Sequence, residues 1–130
     1  MRRLTTIAVL PVLALGACGS DDSEDAERAV RDFVAATNDR DVDKLCDELL
    51  TQEFIEQATG ATGDKARDAC KQQFKTARVR LGLGRIKETE VEGDSATVTA
   101  EIELQGQKQD RPFPLRKEDG DWRLAGGSGN

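Results

Sequence analysis

Ala96-Thr97-Val98-Thr99-Ala100-Glu101-Ile102-Glu103-Leu104-Gln105 switches residue by residue between small or apolar side chains and polar ones. A period of two belongs to a β-strand with one face buried and the other wet, so Ala96, Val98, Ala100, Ile102 and Leu104 face a core. Glu92-Gly93-Asp94-Ser95 is a turn that pairs this strand with a preceding one, from about Arg85 to Val91. Ile86 and Val91 have opposite parity in that earlier strand, which predicts a bulge or a bend. Downstream, a third strand ends in Pro112-Phe113-Pro114-Leu115, with the prolines turned away from ladder partners and Phe113 and Leu115 inward. Glu118-Asp119-Gly120-Asp121 turns the chain into a last strand, Trp122-Arg123-Leu124-Ala125.

Upstream of Gly82 and Gly84 the period is that of a helix. Ala26, Ala29, Val30, Phe33, Val34 and Thr37 form one stripe, with acidic residues at its start where the helix dipole favours them. Asn38-Asp39 ends it. Asp41 is a plausible cap for a second helix bearing Val42, Leu45, Cys46 and Leu49, and Thr51 for a third with Phe54, Ile55 and Ala58. A fourth, from about Asp64 to Arg78, sets Ala66, Ala69, Cys70, Phe74 and Ala77 on one side. The fold class is therefore α+β: N-terminal helices packed on an antiparallel sheet of about four strands. Residues 26–126 are enough for one small domain with one core.

Ahead of that domain lies a different kind of segment. Arg2 and Arg3 precede an apolar run from Leu4 to Ala17, which ends in Leu15-Gly16-Ala17-Cys18. The run is too short to cross a bilayer as a helix, which takes roughly 20 residues. Its charged start and small terminal residues read as an export signal, and Leu-Gly-Ala-Cys resembles the bacterial lipoprotein signal. Residues 1–17 are then a signal peptide, 18–25 a lipidated cysteine with an acidic tether, and 127–130 a flexible tail. An ordinary signal peptide and an uncleaved anchor are the competing readings. The expected place is the extracytoplasmic face of the cell membrane, held there by the lipid anchor on Cys18; two or three acyl chains hold stably where one is marginal.

The cysteine count fits this. Of three cysteines, Cys18 goes to the lipid, and Cys46 and Cys70 remain as a pair in an oxidising compartment. Two separate buried thiols are the competing reading. A zinc site would need further ligands, and the chain has no histidine.

Ala-Val-Arg-Asp-Phe-Val-Ala-Ala from Ala29 to Ala36, and Asp-Gly-Asp-Trp-Arg-Leu from Asp119 to Leu124, resemble the NTF2-like superfamily of SnoaL and ketosteroid isomerase. More narrowly, the chain is similar to small actinobacterial lipoproteins of that superfamily. The resemblance implies a curled sheet wrapped around the first helix, a cone whose interior, either packed solid or open to an apolar molecule, would be lined by Val30, Phe33, Val98, Ala100, Ile102, Phe113, Leu115, Trp122 and Leu124. None of these side chains titrates or carries a hydroxyl. The superfamily's isomerases and cyclases rely on an acidic or histidine base opposite a hydroxyl donor, typically tyrosine. No residue here matches that pair, and the chain has neither histidine nor tyrosine.

No catalytic residue, metal or cofactor is therefore expected, and the chain reads as no enzyme. Asp39-x-Asp41-x-Asp43 lacks the glycine and glutamate of a calcium loop, having Lys44 and Leu50 there, so capping explains it better. Gly82-Leu83-Gly84 is too short for a phosphate loop and reads as a link from helix to strand. Without Arg2 and Arg3, 17 basic residues face 25 acidic ones, a balance of −8 that argues against nucleic acid. The run Lys71, Lys75, Arg78, Arg80, Arg85 and Lys87 reads as a helix end and solvated surface, with anionic lipid headgroups or an acidic partner as the alternative. The functional expectation is a membrane-tethered, non-catalytic binding or interaction module for a small apolar ligand or a protein partner. The alternative is an extracytoplasmic isomerase- or hydrolase-type enzyme. The oligomeric state stays open, a dimer included.

Overall fold

A computed structural model describes the backbone of residues 18–126 and the side chains from residue 21 onward. The expected signal peptide, the side chain of Cys18 and the 127–130 tail lie outside the described residues. Helix α1 runs from Cys18 to Asp39, α2 from Val42 to Lys44 and on into a π-helical turn at Leu45–Leu49, α3 from Gln52 to Thr59 and α4 from Gly63 to Thr76. Strands β1 (Gly82–Glu92), β2 (Ser95–Leu104), β3 (Gln107–Glu118) and β4 (Asp121–Leu124) follow as an antiparallel meander in the order β1-β2-β3-β4. The sheet is curled and unclosed, and α1 packs across its inner face against β1, β2 and β4.

The expected stripe forms α1's buried face, with Ala26, Ala29, Val30, Val34 and Thr37 covered. Residues 18–25, read from sequence as a tether, are the first two turns of this helix. The far end closes at Arg40, whose φ of 55° is left-handed. There the Asp41 N–H reaches the Ala36 carbonyl at 2.9 Å and the Arg40 N–H that of Thr37 at 3.3 Å, a Schellman closure made without glycine.

The π-turn widens the helix by one residue, so the Leu50 N–H bonds the Leu45 carbonyl at 3.1 Å. Leu45, Cys46 and Leu49 all point inward as a result. The Thr51 hydroxyl caps α3 by accepting from the Phe54 N–H at 3.2 Å, as the sequence predicts. The Cys46–Cys70 disulfide ties the π-turn to α4. Beside it, the Lys71 ammonium bridges Asp47 at 3.0 Å and Asp43 at 3.2 Å, so one polar clamp and one covalent clamp join the same two elements.

On the sheet, the alternation read in β2 holds from Ala96 to Ile102, with Ala96, Val98, Ala100 and Ile102 buried, while Leu104 at the strand's end is only half-buried and lies outside the core. The expected bulge in β1 is present as register shifts between Leu83 and Ile86 and between Ile86 and Glu88. Gly82 and Gly84 belong to the strand itself rather than to a link. A Cβ on Gly84 would lie 2.6 Å from the Glu101 carboxylate, so the glycine lets that side chain lie across β1. Pro114 accepts from the Ala125 N–H at 2.8 Å, which puts its nitrogen on the β4 side and spares the β2 ladder. Asp119 and Gly120 both have positive φ, 53° and 84°, the backbone of a tight hairpin turn. Leu50 bridges to Leu124 and the Thr51 N–H bonds the Leu124 carbonyl at 2.9 Å, so β4's outer edge is partly covered. Among the described residues no helix is long and apolar enough to cross a membrane.

Candidate functional site

The nine residues expected to face the interior of the cone belong to the core or pack against it. Val30, Val98, Ala100 and Leu124 have no exposed surface, Leu115, Ile102, Phe113 and Trp122 have almost none, and Phe33 packs at their edge with its ring 6.3 Å from that of Phe113. Ala100→Leu should therefore destabilise the domain by about 1–3 kcal/mol, since added methylenes have nowhere to go. Chemical denaturation measures it, and unchanged stability would reveal spare volume beside Ala100.

An opening lies at the edge of the core. A cleft of about 460 Å³ runs between α1 (Asp25, Arg28, Ala29, Asp32), the second helix and its π-turn (Lys44, Glu48, Leu49) and the start of β4 (Gly120, Asp121, Trp122, Arg123). Of the nine expected residues only Trp122 borders it. Helical spacing puts Asp25, Arg28 and Asp32 on one side of α1, and the β3–β4 turn brings Asp121 and Trp122 up against them. The cleft carries both signs of charge around an aromatic residue.

Trp122 is held from several sides. The Lys117 ammonium lies 5.2 Å from its ring centroid and pairs with Asp22 at 2.9 Å. The buried Trp122 Nε1–H has no hydrogen-bond partner among the described residues, although it faces Asp22 closely enough to favour the charged carboxylate. The hydrogen bond from Lys117 is the main reason the Asp22 carboxyl is held below its usual 3.8, and the same bond holds Lys117 above its usual 10.5. Asp22's contribution is thus full above pH 3.8 and lost as pH falls through its lowered value; that of Lys117 is full below 10.5 and lost as pH rises through its raised value. Lys117→Met should lower the melting temperature between these limits, and the difference from the parent should shrink in acid. A difference that persists unchanged in strong acid would mean the pair adds nothing beyond packing.

Arg123 donates from Nη1 to the Asp47 carbonyl at 2.8 Å, fastening β4 to the π-turn behind the cleft. Among the described residues no cluster of three or more metal-ligating side chains occurs. Asp41 accepts from the Lys44 N–H and Asp43 pairs with Lys71, so two of the three spaced aspartates have structural partners. Of the basic run, Lys71 is taken up by its clamp and Lys87 pairs with Asp110 at 3.0 Å.

Among solved structures, the chain is similar to a proposed aromatic ring hydroxylase from Novosphingobium aromaticivorans, with a TM-score of 0.60 and 18% identity over 84% of this chain and 87% of that one. A proposed scytalone dehydratase from the same organism gives 0.53 at 19% identity, covering 83% and 82%. An NTF2-like protein from Cytophaga hutchinsonii gives 0.51 at 18%, covering 82% and 93%. No family model matches the sequence, and no curated protein matches it either. At these identities the likeness is one of fold, and the fold is NTF2-like. It corrects one expectation. Catalysis was excluded for want of histidine and tyrosine, yet the same architecture occurs in a chain described as a dehydratase. The cleft here is bordered by four carboxylates, Asp25, Asp32, Glu48 and Asp121, so groups able to move protons stand at an open site without either residue type.

Proposed function

We propose that this NTF2-fold chain is a lipid-anchored protein of the extracytoplasmic membrane face that takes up a small polar molecule in the cleft beside Trp122. The cleft carries the reading. Its volume of about 460 Å³ falls within the roughly 300–1,000 Å³ usual for small-molecule sites. Arg28, Lys44 and Arg123 line it together with Asp25, Asp32, Glu48 and Asp121, and this suits a ligand with both anionic and cationic groups better than the apolar one expected from sequence. Leu15-Gly16-Ala17-Cys18 supports the anchor.

Mass spectrometry of natively purified protein tests this. A small molecule should be retained, and Lys44→Glu combined with Asp32→Asn should release it while leaving the circular dichroism spectrum unchanged. Retention by that variant would place the ligand elsewhere.

A second reading, acid–base turnover of the bound molecule, is favoured by the four carboxylates at the cleft. In that case Asp32→Asn would keep binding and lose conversion of the retained compound.

A further inference from the structure

Four cations stand at the end of the domain away from Cys18. Asn38, in the last turn of α1, grips Leu81: its Nδ2 donates to the Leu81 carbonyl at 2.7 Å, and its Oδ1 accepts from the Leu81 N–H at 2.8 Å. With 22 residues and a rise of ~1.5 Å per residue, α1 is about 33 Å long. Segment 77–81 therefore lies a full helix length from Cys18. Lys75, Arg78, Arg80 and Arg85 are exposed. Unlike Lys71 and Lys87 of the same run, none of the four has an ion pair or side-chain hydrogen bond among the described residues.

Two further features mark this segment. Val79, between Arg78 and Arg80, is 47% exposed and is the one large hydrophobic residue left exposed among those described. The backbone groups of residues 78–80 belong to no helix or strand and make no backbone hydrogen bond among the described residues. The positive strip is also narrow, because the Glu103 carboxylate borders the same hollow as Arg80 and Leu81.

We infer that this strip docks an acidic, extended segment of a protein partner, with an apolar residue of that segment covering Val79. Free backbone donors and acceptors suit a strand laid alongside, the four cations select acidic neighbours, and Val79 supplies the apolar contact. Glu103 disfavours a broad anionic plane such as a bilayer or a nucleic-acid duplex. The protein's own membrane is excluded separately, and only this exclusion rests on the proposed anchor at Cys18, which holds the opposite end at the lipid surface.

The test uses the full chain in solution with a pool of short peptides in which acidic residues flank a randomised apolar centre. Thymidine oligonucleotides and phosphatidylglycerol vesicles serve as competing anions. Peptides should bind, and Arg78→Glu with Arg80→Glu should weaken them by about tenfold or more. Val79→Ser should weaken them several-fold, with folding unchanged in every variant because all three positions are exposed. Absence of peptide binding, indifference to Val79→Ser, or equal or better binding of the oligonucleotide or the vesicles would each overturn the inference. Binding is read without reference to acylation, so failure here leaves the Cys18 anchor and the Trp122 cleft standing.

Discussion

Cys70→Ala should lower the unfolding free energy by about 3.5 kcal/mol and the melting temperature by on the order of 15 °C. The bridge to Cys46 closes a loop with a sequence separation of 24, and in the chain-entropy description that is the stabilisation a closed loop of this size removes from the unfolded state. Packing adds to it, since Cys46 and Cys70 are 1% and 4% exposed and the variant leaves a buried thiol without its partner. The Lys71 clamp to Asp47 and Asp43 remains and should keep the π-turn near α4, so the variant is expected to fold. Thermal unfolding of parent, reduced parent and variant measures the effect. Reduced parent and variant should agree closely; an unshifted melting temperature in both would show that the bridge constrains nothing.

Leu124→Ala should cost about 2–5 kcal/mol, a large share of the roughly 5–15 that holds a domain of this size. Leu124 has no exposed surface and pairs with Leu115 across the β3–β4 ladder. Its carbonyl also receives the Thr51 N–H, which joins the helical layer to the last strand. Truncation opens a cavity beneath β4, a strand only four residues long. Hydrogen exchange on the variant should show β4 and the π-turn losing protection together. A loss confined to β4 would mean the Thr51 and Arg123 contacts do not couple the two.

The sheet was legible because a two-residue period has one meaning once a face is buried. The β2 alternation placed Ala96 to Ile102 inward, and the parity conflict between Ile86 and Val91 announced the β1 bulge. Helix faces were legible for the same reason, and the positions of Cys46 and Cys70 on two of them brought the pair together.

Other features left no local signal. The start of α1 at Cys18 hides in a stretch of Gly, Ser, Asp and Glu whose propensity for helix is poor or middling. Its early turns are held by tertiary contact instead, through Asp22 and Lys117. The π-turn hides because a helical wheel carries no mark for one inserted residue, and the closure at Arg40 because a left-handed arginine is not a glycine. The cleft is the clearest case. Its walls come from residues 25–32, 44–49 and 120–123, which no spacing rule connects. Of the nine residues read from sequence as lining the interior, only Trp122 borders the cleft. The interior of the cone was legible only in part: inward-facing side chains show which face is buried, not whether the space between two buried faces is full.

The anchor proposed at Cys18 would set where the cleft and the basic strip stand, and intact mass spectrometry of the protein from the membrane fraction tests it most directly. The account predicts a chain that begins at Cys18, lacks residues 1–17 and carries the added mass of a diacylglyceryl group. A chain that retains Met1, or one that begins at Cys18 with no added lipid, would contradict it.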